Sequence, residues 1–136
     1  MNKEEADTIF QKALALEDAG NLHEALKLRK LLASNFPKVK IFLLTLAKSL
    51  KNLSQLDEAE KYYKRTVKIA PKWELASLQL FHFYWDNENI LGVDRKDDAF
   101  DEIRRFQSIS HCDDYVEIVR EINAKYDDVE KKGQNK

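Results

Sequence analysis

Residues with side chains suited to chemistry are few in this chain and lie far apart. The histidines are His23, His82 and His111, and the one cysteine is Cys112. A tetrahedral zinc site needs three or four ligands that converge on one ion, and sequence neighbours such as His111 and Cys112 rarely reach the same ion. The spacing therefore predicts that no metal is bound.

Cys112 is also poorly placed to act as a nucleophile. A reactive thiol needs a lowered pKa and a nearby base, and the adjacent carboxylates of Asp113 and Asp114 disfavour a thiolate. Paired carboxylates such as Asp97-Asp98 stand among other charges, without the burial that tunes a pKa for acid–base catalysis. The three glycines are isolated, so they form no phosphate-binding loop. We therefore expect a protein that is not an enzyme and that uses no cofactor.

Composition narrows the class of protein further. The chain of 136 residues suits one domain, and its low glycine and proline content favours long helices. Its 23 basic and 24 acidic residues balance, which argues against a nucleic-acid partner. No apolar run approaches the roughly 20 residues that cross a bilayer, and no signal peptide is recognisable. One cysteine suits a reducing compartment, so we expect a cytoplasmic protein with no membrane partner.

A repeat of 34 residues organises the chain. Pro37-Lys38 recurs as Pro71-Lys72, and the segment 22–25 recurs as 56–59 with the same Leu-x-Glu-Ala pattern. Such a period is the signature of repeat architectures. Within each unit, apolar residues return every three or four positions and so predict two amphipathic helices.

Turn residues separate the two helices of the first unit. Gly20 tolerates the left-handed backbone that ends a helix, and Asn21 with Glu24 is spaced to form a capping box for the next helix. Pro37 ends that second helix and opens the following unit. The corresponding turn of the second unit has Ser54 in place of glycine.

These features resemble the tetratricopeptide repeat (TPR), in which helices A and B of each unit cross closely at a small residue. Ala25, Ala59 and Ala99 match that residue, while Phe81 departs from the small residue usual in helix A. The resemblance implies an all-α, right-handed α-solenoid of about three helix-turn-helix repeats and a C-terminal capping helix, seven helices in all. The predicted boundaries within the domain 1–130 are 6–39, 40–73 and 74–112 for the repeats, 113–130 for the capping helix and 131–136 for a flexible tail. The third repeat has a longer turn at 87–96.

In that family the A helices line a concave groove that binds partner proteins. Carrying its inward-facing positions onto this sequence predicts the following partner-binding residues: Phe10, Leu14, Leu44, Lys48, Lys51, Leu78, His82, Trp85 and Asp86. A second candidate surface is a basic stripe on the B helices, interpreted mainly as a solvated convex face: Lys27, Arg29, Lys30, Lys61, Lys64, Arg65 and Lys68.

The expected function is therefore non-enzymatic binding of another protein. The segment 76–86, together with 106–110 and Tyr115, resembles short stand-alone bacterial TPR proteins, some of which are immunity proteins that neutralise a toxin domain. The alternative is a general TPR adaptor or assembly factor that binds a peptide segment. We expect a monomer or a weak homodimer, the latter formed through the predicted capping helix.

Overall fold

The computed structural model describes the backbone of residues 1–87, 89–90 and 93–134, and the side chains of 1–87 and 94–125. Seven helices lie within these ranges, as predicted: α1 Lys3–Asp18, α2 Leu22–Asn35, α3 Lys40–Asn52, α4 Leu56–Ile69, α5 Glu74–Asp86, α6 Lys96–Gln107 and α7 Asp113–Gln134. No helix in the described part of the chain is long and apolar enough to span a bilayer.

A pair of short β-strands, each of two residues, lies between α5 and α6. Strands β1 (Asn89–Ile90) and β2 (Val93–Asp94) pair antiparallel, with Asn89 opposite Asp94. The hairpin falls within the segment 87–96 that the sequence marks as the longest turn. The described residues of this segment before Lys96, namely 87, 89–90 and 93–95, lie outside the helices.

Buried alanines recur at the positions where the sequence predicts close helix crossings. Ala25, Ala59 and Ala99, one in each of α2, α4 and α6, have no exposed surface. Ala13 and Ala47 are equally buried in α1 and α3. In α5 the corresponding residue is Phe81, which is also buried and packs its ring against Tyr115 of α7 at 5.8 Å between ring centroids. Complete burial of these alanines agrees with the predicted close crossings, and α7 covers the position where the third repeat is bulkier.

The turns α1–α2 and α3–α4 each contain one left-handed residue. Gly20 has φ of 82°, as expected, and Ser54 adopts φ of 59° at the same point of the second repeat. The predicted capping box is wrong, because the side chain of Asn21 makes no hydrogen bond to the start of α2. A side-chain cap is found instead on α1, where Asn2 Oδ1 accepts from the backbone N–H of Glu5 at 2.9 Å.

Helix α7 is attached to α5 and α6 by a buried polar cluster. The Tyr115 hydroxyl and the Ser77 hydroxyl are 2.6 Å apart, and Ser77 donates to Glu102 at 2.5 Å. Arg105 binds Glu102 through two nitrogens and also donates to the backbone carbonyl of Pro71. The helix itself runs to Gln134, beyond the predicted end at Glu130.

Exchanging serine and glycine at the two turns should change stability in opposite directions. A left-handed backbone costs a non-glycine residue about 1 kcal/mol. Gly20→Ser should therefore destabilise the protein by about that amount, since a Cβ at Gly20 would meet no atom within 4 Å and only the backbone conformation matters. Ser54→Gly should stabilise it by about 0.5 kcal/mol, part of the gain being offset by a more flexible unfolded chain. Urea unfolding measures both.

Ser34→Gly is the matched control for this pair. Ser34 is exposed in the helical backbone of α2, so the same chemical change should destabilise by up to about 1 kcal/mol. Loss of stability in both Ser54→Gly and Ser34→Gly would contradict the interpretation that Ser54 is strained.

Candidate functional site

Exposed apolar side chains follow one side of the three A helices. Leu14 of α1 and Ile41 of α3 are each 37% exposed, and Leu75 of α5 is 46% exposed. Ile41 and Leu75 are 34 residues apart, so they hold equivalent positions in the second and third repeats. The equivalent residue of the first repeat is Asp7. Leu14 follows Asp7 by seven residues, about two helical turns, and therefore lies on the same stripe of α1. We call this surface the A-helix face. Its apolar side chains are exposed to solvent and are not covered by other parts of the described chain.

Four predicted partner-binding residues of α1 and α3 differ in their exposure. Leu14 and Lys48 are exposed, whereas Phe10 and Lys51 are half-buried. The prediction for Leu44 is wrong, because this side chain is only 3% exposed and packs in the core. Helix α3 contacts both α2 and α4, which leaves a narrower strip of it open than the repeat pattern implies.

The predicted residues of α5 divide between solvent and the protein interior. His82 and Asp86 are exposed and lie 3.7 Å apart through Nδ1 and Oδ2. Leu78 and Trp85 are half-buried against the core. The Trp85 ring stacks on Phe81 at 5.8 Å between centroids and meets Phe100 of α6 edge-on at 5.7 Å. Trp85 therefore helps to join α5 to α6, and only part of its ring is open to a partner.

Arg29 does not belong to the basic stripe that the sequence predicts on the B helices. Its side chain is 1% exposed, and its Nη2 donates to Glu17 Oε1 at 2.5 Å. The other oxygen of Glu17 accepts from the Ser49 hydroxyl at 2.8 Å, and the guanidinium lies 4.7 Å from the centre of the Phe10 ring. A charged residue is thus used inside the protein to tie α1, α2 and α3 together, through a carboxylate partner whose side chain remains 25% exposed.

A second ion pair joins α4 to the segment before α6. Arg95 binds both carboxylate oxygens of Glu60, and the Tyr84 hydroxyl donates to Glu60 Oε2 at 2.6 Å. Burial by itself raises the pKa of Glu60, but the hydrogen bonds from Arg95 and Tyr84 and the charge of Lys64 outweigh burial and lower this pKa below its usual 4.5. The carboxylate therefore stays ionised at neutral pH and holds the long turn against α4.

Cys112 lies at the start of α7, where its thiol is buried. Burial, followed by the neighbouring carboxylate of Glu74, raises the pKa of the Cys112 thiol. Its Sγ donates to Glu74 Oε1 at 3.3 Å. Potential ligand atoms of Glu74, Cys112 and Asp114 lie within 4.8 Å of one another, but a protonated thiol is a poor metal ligand and a poor nucleophile. The geometry fits a structural cysteine.

A cavity of about 510 Å³ opens beside the A-helix face, between α1 and the α2–α3 turn. Its walls are mostly apolar and include Phe10, Phe36, Val39 and Ile41. Phe36 and Val39 were not among the predicted binding residues, because the family pattern places contacts on A helices and these two stand in the connecting turn. The one sequence signal was the apolar Val39 between two lysines in the turn after Pro37.

Comparison with solved structures places the fold among TPR-like proteins. The chain superposes on a chain of the CopN-Scc3 complex with a TM-score of 0.69 and 17% identity, over 91% of this chain and 70% of that one. It matches SycD, a type III secretion translocator chaperone of Yersinia enterocolitica, with a TM-score of 0.68 and 14% identity over 97% and 96% of the two chains. The Sgt2 TPR domain of Aspergillus fumigatus gives 0.66 and 17% over 93% and 82%.

These likenesses are in structure, at low sequence identity. No protein-family model matches the sequence, and no curated protein matches it. The architecture is therefore an all-α, TPR-like fold, which confirms the predicted fold class. The neighbours show the fold alone, and the binding surface must be argued from this chain's own residues.

Trp85→Ala should lower stability, because the indole joins α5 to α6. We expect a loss of about 1–3 kcal/mol, less than for a fully buried aromatic residue. His82→Ala is the matched control: His82 is exposed on the same helix and should change the free energy of unfolding by less than about 0.5 kcal/mol. Chemical denaturation of both variants measures the difference. Equal stability of the two variants would mean that the ring contacts of Trp85 contribute nothing.

Glu60→Gln should destabilise the protein at pH 7 by about 1–3 kcal/mol, because it removes charge-assisted hydrogen bonds to Arg95. A carboxylate with a lowered folded pKa contributes stability above its unfolded pKa and loses it as pH falls through the folded pKa. The difference in the free energy of unfolding between wild type and Glu60→Gln should therefore become smaller as pH falls below about 4.5.

Glu58→Gln provides the control for this pH series. Glu58 is exposed and lies 4.0 Å from Lys30, and such a surface pair contributes little. Free energies of unfolding at pH 7, 5 and 3 separate the two carboxylates. If the difference in the free energy of unfolding between wild type and Glu60→Gln stays constant across this pH range, the ionised carboxylate does not have the proposed role.

Proposed function

We propose that this chain is a non-enzymatic adaptor that binds a segment of another protein on the A-helix face. The observation that carries the proposal is the run of exposed Leu14, Ile41 and Leu75 on three successive A helices. Apolar surface that is shared by consecutive repeats and bordered by charged side chains suits an interface with an apolar centre and a polar rim. Lys48 and His82 supply exposed polar groups on the same stripes as Ile41 and Leu75.

The similar solved structures support the same class of function. One is named as a translocator chaperone, one comes from a complex, and one is the TPR domain of Sgt2. For this chain, the corresponding role is to hold a partner segment through many weak contacts along the stacked repeats. Chemistry is not required for that role, and the protonated Cys112 is consistent with it.

Toxin neutralisation is the narrower form of the proposal that the sequence resemblance suggests. An immunity protein binds one partner tightly, whereas an adaptor binds through a segment that several partners can share. The near-neutral net charge of −1 gives no general electrostatic attraction to a basic toxin. An adaptor is therefore the form that we favour, and the number of partners that co-purify with the chain distinguishes the two.

Leu75→Asp should abolish partner binding while the protein remains folded. Leu75 stands in the first turn of α5, where an acidic side chain is tolerated, but a charge in the apolar centre of the interface should weaken binding at least about 30-fold. Leu31→Asp is the control, because Leu31 is 42% exposed on α2, away from the A-helix face.

The measurement is co-purification from the native host, followed by titration of the identified partner against each variant. Retention of the partner by wild type and Leu31→Asp, with its loss from Leu75→Asp, is the expected result. Equal binding by both variants would place the interface elsewhere. Circular dichroism of each variant establishes that the helices are intact.

A further inference from the structure

The turns before α3 and α5 form an edge with two different cavities. We call residues 36–41 and 69–73 together the loop edge. On one side of the α2–α3 turn lies the apolar cavity of about 510 Å³ described above. On the other side, between the α2–α3 and α4–α5 turns, lies a second cavity of about 550 Å³. The α2–α3 turn is thus a ridge with a cavity on each flank.

Alternation along this ridge gives its two flanks opposite character. Val39 and Ile41 line the apolar cavity, whereas Lys38 and Lys40 line the second one. Lys72 from the neighbouring turn adds a third lysine to the second cavity. Val39 is extended, which directs its side chain away from those of Lys38 and Lys40, while Ile41 follows Lys40 in the first turn of α3. The separation of apolar and basic groups therefore follows from the local sequence.

The second cavity has a surplus of positive charge. Among the side chains that the structure describes, its three lysines form no ion pair with a carboxylate, and no acidic residue lines the cavity. The amine of Lys40 lies 4.7 Å from the centre of the Trp73 ring, which fixes one lysine against an aromatic wall. Ile69, 40% exposed, completes an apolar floor beside these charges.

We infer that the loop edge binds an acidic protein segment that carries an apolar anchor. The anchor, an aromatic or branched aliphatic side chain, enters the cavity beside Val39 and Ile41. Carboxylates next to it on the same segment cross the ridge and pair with Lys38, Lys40 and Lys72. The inference rests on the proposed function and adds the chemistry of the partner, since Ile41 belongs both to the A-helix face and to the loop edge.

Charge complementarity selects this occupant over the alternatives. A basic segment would be repelled by the three lysines, and a purely apolar segment would leave them unpaired beside it. The acidic side chains would orient the segment, and the apolar anchor would supply most of the affinity. This arrangement differs from an interaction with the A-helix face alone, which predicts no preference for acidic segments.

Three fluorescent peptides test the inference by anisotropy against the full chain. The first joins a phenylalanine–leucine pair to a short run of aspartates, the second replaces the aspartates with lysines, and the third replaces the apolar pair with serines. Only the first should bind, and its affinity should fall as salt rises. Equal binding of the first and second peptides would overturn the inference.

A pair of charge-matched variants locates the site. Lys38→Glu/Lys72→Glu should weaken the first peptide about tenfold, because two attractions become repulsions at a solvated rim. Lys12→Glu/Lys125→Glu makes the same change in net charge at exposed positions of α1 and α7 and should leave its affinity within about twofold. If both double variants weaken peptide binding equally, the attraction is non-specific and the peptide does not bind at the loop edge.

A membrane surface is the competing occupant, and vesicles test it directly. Sedimentation with vesicles of phosphatidylserine and phosphatidylcholine should leave the protein in solution. Binding to the vesicles that is lost in Lys38→Glu/Lys72→Glu, without binding of the first peptide, would replace the protein segment with a lipid surface. If a co-purified partner binds wild type and the edge variant equally but not Leu75→Asp, the inference fails while the proposed function stands.

Discussion

Close approach of paired helices at an alanine is the constraint on which this architecture depends. Ala25, Ala59 and Ala99 have no exposed surface, and any larger side chain there would force the helices apart. Because Ala25 and Ala59 are 34 residues apart, as are the prolines of the two turns, the turns before α3 and α5 fall next to one another along one edge. The same regularity places Ile41 and Leu75 at equivalent points of the A-helix face. Both candidate binding surfaces are therefore consequences of small residues that no partner touches.

Three carboxylates that pair across elements, one of them buried and two partly buried, fix the arrangement that the alanines allow. Glu17, Glu60 and Glu102 each accept hydrogen bonds from residues on other elements, and each also pairs with an arginine. Hydrophobic packing alone tolerates sliding between helices, whereas a hydrogen-bonded carboxylate penalises any register that leaves it unpaired. Such ties fit a module that must keep its repeats aligned while it presents apolar side chains to solvent.

The periodic features of the sequence were sufficient to predict the helices, the position of the long turn and the buried alanines. What they could not predict was burial that depends on other helices. Arg29 was assigned to a solvated stripe because its neighbours in sequence are basic, yet its partner Glu17 lies on α1. Leu44 follows the family pattern for the groove, but contacts of α3 with two flanking helices enclose it. The turn residues around Val39 were missed because a repeat pattern describes helices and says little about what connects them.

The buried position of Cys112 gives the molecule an internal reporter of its own motion. This thiol is 1% exposed and lies immediately before the last helix, and it belongs to the one cysteine in the chain. An alkylating reagent reaches it only when the contact between α7 and α5 opens. The rate of labelling therefore records how often the end of the solenoid detaches, without any engineered probe. A ligand that stabilises the packing of the helices would slow the labelling of Cys112. Binding at a site far from α7 could therefore be measured as protection of this one thiol.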